Sequence, residues 1–184
     1  MENSFLSESE LRSAGFASIG EQVSVSRYAR FYGIENLHLA RNVRIDDFSI
    51  IYTGAESHIG EYVHIAPYVV ICSPSKLQIG SYSTISSRCA IYGQTDDYSG
   101  EFLTNPTLTS NLRNVTYSEV CIGNHVIIGS GSTILPGCVI SDGTAVGAMT
   151  LIKSDTKPWS LYVGIPAEKI RDRSKSGLKK LELN

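Results

Sequence analysis

Aliphatic residues recur at every sixth position over most of the chain, and the pattern is clearest in its second half. There the hexads read IGNHVI, IGSGST, ILPGCV, ISDGTA, VGAMTL and IKSDTK over residues 122–157. A spacing of six matches neither the helical period of about 3.6 nor the two-residue alternation of a half-buried strand. A short strand and a corner, repeated three times in each coil of a stacked solenoid, account for it. The pattern therefore predicts an all-β parallel solenoid around one continuous core.

Two further positions of the hexad have their own preferences. A small residue stands four places after the aliphatic one, where we expect the interior to narrow beside each corner. Glycine often follows the aliphatic residue directly, and we expect it where the backbone has to turn. In the longest run the small residues are Val126, Ser132, Cys138, Thr144 and Thr150.

The rhythm slips twice by a few residues and breaks once over a long segment. The slips lie between Val43 and Ile59 and between Ile71 and Ile79. The long break begins with GQTDDYSGEFLTNP and contains several apolar residues. A segment of this length without regular structure is uncommon and is usually either functional or disordered. Its apolar residues favour order, so we predict an extruded functional loop over residues 93–118.

Both ends of the chain lie outside the repeat, which fills residues 19–165. Ser7 and Glu10 have the spacing of a capping box, which predicts a short helix in an N-terminal cap over residues 1–18. Residues 166–184 are rich in helix formers and basic residues, which predicts a C-terminal helix. Helices at both ends would cover coil edges that otherwise expose unpaired backbone groups.

Composition and charge exclude several classes of protein. Among 184 residues, 16 Lys and Arg face 18 Asp and Glu, so no overall charge favours nucleic acid or an anionic membrane. No apolar run approaches the about 20 residues of a membrane span. The first residues lack the basic and apolar regions of a signal peptide. The four cysteines lack C-x-x-C spacing, so we expect reduced, buried thiols in a cytoplasmic protein.

The hexads, together with the closing stretch VGIPAEKI, resemble the hexapeptide-repeat acyltransferases, whose fold is a left-handed parallel β-helix. The resemblance covers about residues 19–173. It implies a homotrimer whose active sites lie between subunits beside the extruded loop, with acetyl-CoA as the acyl donor. It also implies that the pantetheine of acetyl-CoA lies beside Gly129 and Ala148, and that Lys153 and Lys169 reach the CoA phosphates.

A second series of motifs, IDDF, HIAPY, ISSR, DDYSG and LTNP, narrows this resemblance. It is similar to a branch that includes N-acyltransferases of nucleotide-linked 4-amino-4,6-dideoxy sugars. These enzymes serve the synthesis of O-antigen and other surface polysaccharides. The resemblance therefore implies an acceptor such as dTDP-4-amino-4,6-dideoxyglucose, acetylated on its amine.

The extruded loop lacks a residue that many sugar O-acetyltransferases of this superfamily carry. Their loop has a histidine in a G-x-H-D pattern, which removes the proton of the acceptor hydroxyl. Here residues 93–96 read GQTD, so Thr95 stands in place of that histidine. A hydroxyl needs a general base, whereas an amine near neutral pH is partly unprotonated and mainly needs orientation. The missing histidine thus favours N-acylation.

Carboxylates of the loop are the first candidates for catalysis. Asp96, with Asp97 beside it, is predicted to hold the amine and to receive the proton that the amine loses. His64 is a third catalytic candidate, because its corner is one where a neighbouring subunit could meet the loop. The predicted substrate contacts are Ser86, Ser87, Thr95 and Tyr98.

Three other functions remain open from the residues. A sugar O-acetyltransferase could use His64 or His125 as its base. A zinc enzyme like the carbonic anhydrases that share this fold needs three converging histidines. His58 and His64 are six residues apart, which puts them on different corners, and we expect no close histidine pair and no metal site. A non-catalytic binding scaffold is the last alternative, and a failure to bind acetyl-CoA would favour it.

Overall fold

The computed structural model describes residues 4–181, which form a three-sided parallel solenoid. Each side is one sheet, and the strands are numbered β1 to β22 along the chain. The first face contains β1 (Ser18–Ile19), β4 (Leu37–Leu39), β7 (Ser57–Ile59), β10 (Leu77–Ile79), β15 (Val120–Ile122) and β18 (Val139–Ile140).

The other two faces complete each coil. The second face contains β2 (Ser24–Val25), β5 (Arg44–Ile45), β8 (His64–Ile65), β11 (Thr84–Ile85), β16 (Ile127–Ile128), β19 (Ala145–Val146), β21 (Ser160–Val163) and β22 (Glu168–Asp172). The third face contains β3 (Arg30–Tyr32), β6 (Ile50–Thr53), β9 (Val70–Ser73), β12 (Ala90–Tyr92), β17 (Thr133–Ile134) and β20 (Leu151–Ile152). A separate pair, β13 (Gln94–Thr95) and β14 (Thr116–Tyr117), lies in the extruded loop.

The aliphatic position of the hexad forms the core, as the sequence predicts. Ile65, Ile85 and Ile128 occupy successive strands of the second face in register, and all three are fully buried. The small position is buried as well, and its hydroxyls bond to backbone. The Ser83 hydroxyl donates to the carbonyl of Gly123 at 2.9 Å and accepts from an amide of the next coil. Burying a hydroxyl without a partner is costly, so these bonds explain why serine is tolerated there.

Coil length explains the two short slips. On the first face, Ser18 pairs with His38, 20 residues later, whereas Cys121 pairs with Val139. The later coils repeat after 18 residues, which is three hexads. The two additional residues of each early coil lie at the corner between the third and first faces. Two of these corners lie where the slips are predicted, and a third, between Phe31 and Leu39, is not predicted.

A short helix covers the N-terminal end of the solenoid. The helix α1 spans Glu8–Ser13 and has the predicted capping box. The amide of Glu10 donates to the Ser7 hydroxyl at 3.4 Å, and the Glu10 carboxylate accepts from the Ser7 amide at 2.7 Å. Residues 1–3 of the predicted cap lie outside the described residues.

The predicted C-terminal helix is wrong for the described part of residues 166–184. The chain reverses at Gly164, whose φ is +104°, and β22 pairs antiparallel with β21. A 3₁₀ helix at Ser176–Lys180 follows. All residues of β22 are exposed, so a helix here would have no apolar stripe to bury, whereas the strand satisfies the open edge of β21. Residues 182–184 lie outside the described residues.

Two more 3₁₀ helices occur, at Ile34–Asn36 and at Ser110–Leu112. Across residues 4–181, no helix has the length and apolar character needed to cross a membrane.

Candidate active site

The extruded loop is anchored to the solenoid at the corner between the third and first faces. Gln94 of β13 pairs antiparallel with Tyr117 of β14 at the base of the loop. The Gly93 amide donates to the carbonyl of Cys72 at 2.8 Å, and the Ser118 amide donates to the carbonyl of Gly93 at 2.9 Å. These bonds hold both ends of the loop on the preceding coil, so the loop is ordered at its base.

Asp97 organises the next turn of the loop. Its carboxylate accepts hydrogen bonds from the Ser99 hydroxyl at 2.8 Å, the Gly100 amide at 2.9 Å and the Phe102 amide at 3.3 Å. The Ser99 bond, with the two backbone amides, lowers the pKa of Asp97 below its usual value. The carboxylate is therefore occupied within the loop, and the predicted catalytic role of Asp97 stays a prediction.

Asp96 differs from its neighbour because its carboxylate is open to solvent. It has no hydrogen bond or ion pair to any residue between 4 and 181, while the Thr95 hydroxyl donates to the Asp96 backbone carbonyl at 3.2 Å. Tyr98 follows in the same loop with 93% of its surface exposed. Of the two acids, Asp96 is thus the one that is available to a bound ligand.

A column of small residues runs parallel to the solenoid axis where the strands of the second face end. The Ser86 amide donates to the carbonyl of Ile128 in the next coil, which places Ser86 next to Gly129. A Cβ atom on Gly129 would lie 2.5 Å from the amide nitrogen of Ala148, so only glycine fits between these coils. Ser86 and Ser87 are half-buried and Ala148 is exposed, so solvent reaches this column.

His64 lies beside this column in an ion-pair cluster. Its Nε2 atom is 2.7 Å from Oδ2 of Asp46, and Arg44 Nε donates to Oδ1 of Asp46, also at 2.7 Å. Only 10% of the Asp46 side chain is exposed, so both of its oxygens are satisfied inside the protein. The sequence pattern alone does not predict the contact between His64 and Asp46. The coil length is the signal that could have found it, because His64 and Arg44 are register partners 20 residues apart.

His125 packs within an aromatic ladder at the corner between the first and second faces. Its ring is stacked on Tyr82 at 5.1 Å and lies 6.1 Å from Trp159. Tyr62 continues the ladder beyond Tyr82 at 5.0 Å. The His125 imidazole therefore has the environment of a packing residue.

The two predicted phosphate-binding lysines have different surroundings. Lys169 Nζ lies 2.6 Å from a carboxylate oxygen of Asp172, and this contact lowers the pKa of Asp172. Lys153 is exposed just after β20, with no ion pair to any described residue, at the corner that also carries the extruded loop. Lys153 is the more accessible cation.

A single chain does not bring all the candidates together. Thr95, Asp96, Asp97 and Tyr98 lie at the corner between the third and first faces. The column of Ser86, Gly129 and Ala148, with His64 beside it, borders the second and third faces. Within one chain, the third face lies between the two groups.

The expectation that no two histidines lie close together is wrong. His38 and His58 occupy adjacent strands in register, with ring centroids 4.4 Å apart and an interplanar angle of 13°. Their separation of 20 residues equals one coil, so residues remote in sequence become neighbours.

Comparison with known proteins gives close relatives, although no protein-family model matches the chain. The dTDP-4-amino-4,6-dideoxy-D-glucose acyltransferase of Escherichia coli is 42% identical over 172 residues, covering 93% of this chain and 90% of that protein. A crystal structure of a serine-to-cysteine variant of AntD, an N-acyltransferase from Bacillus cereus, in complex with dTDP-4-amino-4,6-dideoxyglucose and coenzyme A has a TM-score of 0.95. It is 37% identical and covers 100% of this chain and 97% of that chain.

Other crystal structures of AntD add two observations. One contains dTDP and 3-hydroxybutyryl-CoA, with 38% identity, a TM-score of 0.94 and coverage of 99% of this chain and 96% of that chain. Others carry substitutions of the same serine or of one aspartate, which are ten positions apart in that protein. Two pairs have the same separation here, Ser86 with Asp96 and Ser87 with Asp97.

Proposed function

The chain belongs to the family of dTDP-4-amino-4,6-dideoxyglucose acyltransferases, and we propose that it acetylates the amine of a dTDP-linked 4-amino-4,6-dideoxy sugar. It is an acyl-CoA-dependent acyltransferase with the left-handed parallel β-helix that the hexads indicate. The observation that carries the proposal is the loop, which presents the unpaired carboxylate of Asp96 and has Thr95 where a catalytic histidine would stand. The product would enter the synthesis of a surface polysaccharide such as O-antigen.

The reaction needs orientation of the amine more than its activation. The amine nitrogen attacks the thioester carbonyl carbon, the carbon–sulfur bond breaks, and coenzyme A leaves as a thiolate. Asp96 accepts the proton that the attacking nitrogen loses after it bonds to the carbonyl carbon, and passes it on, through solvent, to the thiolate. The Gly129 amide already donates to the carbonyl of Val146 at 2.8 Å, so Gly129 would contribute close approach of the thioester. The Ala148 amide has no hydrogen-bond partner in residues 4–181 and would be the donor for the oxyanion of the intermediate.

Ser86 is the proposed partner of Asp96 in holding the acceptor amine. Its hydroxyl would lie beside the thioester, where the attacking nitrogen has to arrive. The serine and aspartate substituted in AntD are ten residues apart, a separation shared by Ser86 with Asp96 and by Ser87 with Asp97. The Asp97 carboxylate is already bonded within the loop, which favours the pair Ser86 and Asp96. Ser87, Thr95 and Tyr98 complete the proposed acceptor contacts.

A homotrimer with active sites between subunits would join the two groups of candidates. The loop of one subunit would cross to the small-residue column of its neighbour. The loop offers exposed apolar side chains for such a contact, namely Tyr98, Phe102 and Leu103. The proposed compartment is the cytoplasm, where the four cysteines, all free in the structure, would stay reduced.

Mixing inactive variants tests the shared site. Trimers of Asp96→Asn and trimers of Ser86→Ala should each be nearly inactive. After the two are unfolded together and refolded as mixed trimers, some interfaces would combine an intact loop with an intact column, and part of the activity should return. No recovery in mixed trimers, verified by mass spectrometry, would place both residues in one subunit and contradict the arrangement.

A paired-substrate assay tests the choice of amine over hydroxyl. The enzyme would receive acetyl-CoA and two dTDP-linked sugars that differ only in carrying NH₂ or OH at carbon 4. We expect turnover of the amine sugar and at most trace turnover of the hydroxyl sugar. Equal or faster acetylation of the hydroxyl would overturn the proposal, and repeating the assay with 3-hydroxybutyryl-CoA would establish the preferred acyl chain.

O-acetylation is the second candidate function, because His64 is oriented by the carboxylate of Asp46, an arrangement suited to a general base. We expect His64→Ala to retain measurable N-acylation, since the amine needs no strong base. Complete loss of activity in a folded, trimeric variant would favour the histidine-dependent mechanism. His125 is less suited to that role because its ring packs between Tyr82 and Trp159.

A further inference from the structure

We propose that His38, Glu56 and His58 form a zinc site on the first face, independent of the residues proposed for acyl transfer. All three side chains lie in the first coils of the solenoid. His38 belongs to β4 and His58 to β7, and Glu56 stands in the turn immediately before β7. Their ligand atoms lie within 4.8 Å of one another, which no other group of three His, Cys, Asp or Glu residues achieves in residues 4–181.

The separations between the ligand atoms suit a small tetrahedral cation. Nε2 of His58 lies 3.2 Å from Oε1 of Glu56, and Nε2 of His38 lies 3.8 Å from the same oxygen. Zinc bonds of about 2.0–2.1 Å in tetrahedral geometry put neighbouring ligand atoms roughly 3.4 Å apart. These two distances bracket that value. The imidazole planes of His38 and His58 are only 13° apart, and a metal lies in the plane of each imidazole that binds it, so binding requires the half-exposed His58 ring to rotate about its Cβ–Cγ bond and the Glu56 carboxylate to follow.

Ser18 orients one of the imidazoles. Its hydroxyl lies 2.9 Å from Nδ1 of His38, on the strand that precedes β4 in the first face. When Nδ1–H donates to this hydroxyl, Nε2 keeps its lone pair and points towards Glu56. Bound histidines usually have such a partner on the other ring nitrogen, which fixes the tautomer.

The donor set and its exposure indicate the kind of metal. Two imidazoles and one carboxylate match the borderline preference of Zn²⁺, and a water molecule would take the fourth position. The exposed fractions of the side chains, 31% for His38, 42% for His58 and 72% for Glu56, allow a metal to enter from solvent. Bound zinc would cross-link two successive coils and the turn between the third and first faces, and so stabilise the N-terminal coils.

Equilibrium dialysis of chelator-treated, full-length protein against Zn²⁺ tests the site. We expect one ion per chain by elemental analysis. His58→Asn and Glu56→Gln should each weaken binding at least tenfold, and Ser18→Ala should weaken it about tenfold through the lost orientation of His38. Glu35→Gln removes an exposed carboxylate that has no hydrogen bond or ion pair in residues 4–181. This variant should bind zinc as tightly as the unmodified protein.

Thermal unfolding gives a second measurement on the same variants. Zinc should raise the Tm of the unmodified protein and of Glu35→Gln, and should leave the Tm of Glu56→Gln unchanged. Glu56 is mostly exposed, so this variant should fold even if the histidine variants do not. Binding of less than one ion per ten chains would overturn the site. Equal zinc binding by Glu56→Gln and the unmodified protein would overturn it too, because the ion would then lie elsewhere, for example on the cysteines.

Discussion

The imidazole of His64 is joined to the carboxylate of Asp46 across two neighbouring coils, with 2.7 Å between Nε2 and Oδ2. Arg44 lies in β5, which directly precedes Asp46 in the chain, and its Nε atom donates to the other carboxylate oxygen. The cluster therefore places a nearly buried acid between two partly exposed cationic or polar partners. The cluster stabilises the second face beside the edge where the acceptor sugar is proposed to bind.

Removing both partners of Asp46 should cost more than the sum of removing each. Arg44→Ala or His64→Ala alone leaves one partner for the carboxylate, and both side chains are largely solvated, so each should lower the free energy of unfolding by less than about 1 kcal/mol. The double variant leaves a buried carboxylate without a partner, for which we expect about 3 kcal/mol. Urea unfolding of all four proteins measures the coupling. Additive losses would mean that water replaces both partners.

Asp96→Asn should reduce kcat far more than it changes the affinity for acetyl-CoA. The amide can still hydrogen-bond the acceptor but cannot take up its proton, so we expect a loss on the order of 10²-fold in kcat. Steady-state kinetics and calorimetry with acetyl-CoA measure the two quantities. A variant with unchanged kcat would remove Asp96 from the mechanism.

Asp97→Ala should loosen the loop near Ser99. Amide hydrogen exchange at Gly100 and Phe102 should accelerate, because both amides donate to the lost carboxylate. The pKa of Asp97 is lowered in the fold, so its contribution is present above the ordinary aspartate pKa and is lost as the pH falls through the lowered value. In the unmodified protein these amides should stay protected at pH 5 and lose protection only in stronger acid. Unchanged exchange in Asp97→Ala would show that other contacts hold this turn.

His125→Ala should destabilise the protein without removing its activity. Stacked aromatic contacts of this kind contribute about 1 kcal/mol, and the variant loses those with Tyr82 and Trp159. His125→Tyr keeps an aromatic ring at a position with φ of +57°, a conformation that Tyr62 and Tyr82 already adopt, and serves as the matched control. Chemical unfolding and initial rates measure both effects. Loss of turnover in a stably folded His125→Tyr protein would indicate a catalytic imidazole.

Substitutions of Lys153 and Lys169 should have different effects on the KM for acetyl-CoA. Lys153→Ala removes an unpaired exposed cation, and a lost charged contact with a CoA phosphate should raise the KM for acetyl-CoA about tenfold. Lys169→Ala should change it less, because Lys169 is already paired with Asp172. Kinetics with acetyl-CoA and with a donor lacking the 3′-phosphate measure the contrast. The reverse order would place the phosphates near β22.

The core could be predicted from the sequence because the hexad directly reports which side chains point inwards. The role of the glycine that follows the aliphatic residue could not be predicted in the same way. A Cβ atom on Gly80 would lie 2.4 Å from the backbone of Gly123 in the next coil, so glycine is needed for close stacking. The left-handed corner lies two residues later and is occupied by Tyr82, with φ of +59°. Stacking of Tyr62 on Tyr82 at 5.0 Å offsets the cost of that conformation, an interaction between coils that the hexad does not encode.

The candidate site was only partly predictable for the same reason. Asp96 and Ser86 follow from motifs along the chain. The partnership of His64 with Asp46, and of His38 with His58, depends on how many residues make one coil. The C-terminal strand β22 depends on the unpaired edge of β21, which exists only once the solenoid is formed.

The first face continues across the extruded loop as if the loop were absent. Leu77 pairs with Val120 in the same parallel register that His58 makes with Gln78, although a much longer stretch of chain intervenes. Mutations, insertions or deletions in the loop beyond its anchored base can therefore accumulate without disturbing the coils that carry the column proposed to bind the acyl donor. Evolution could in this way change the sugar that is recognised while keeping the residues that bind the thioester. Exchanging loops between relatives could likewise change the sugar specificity by design.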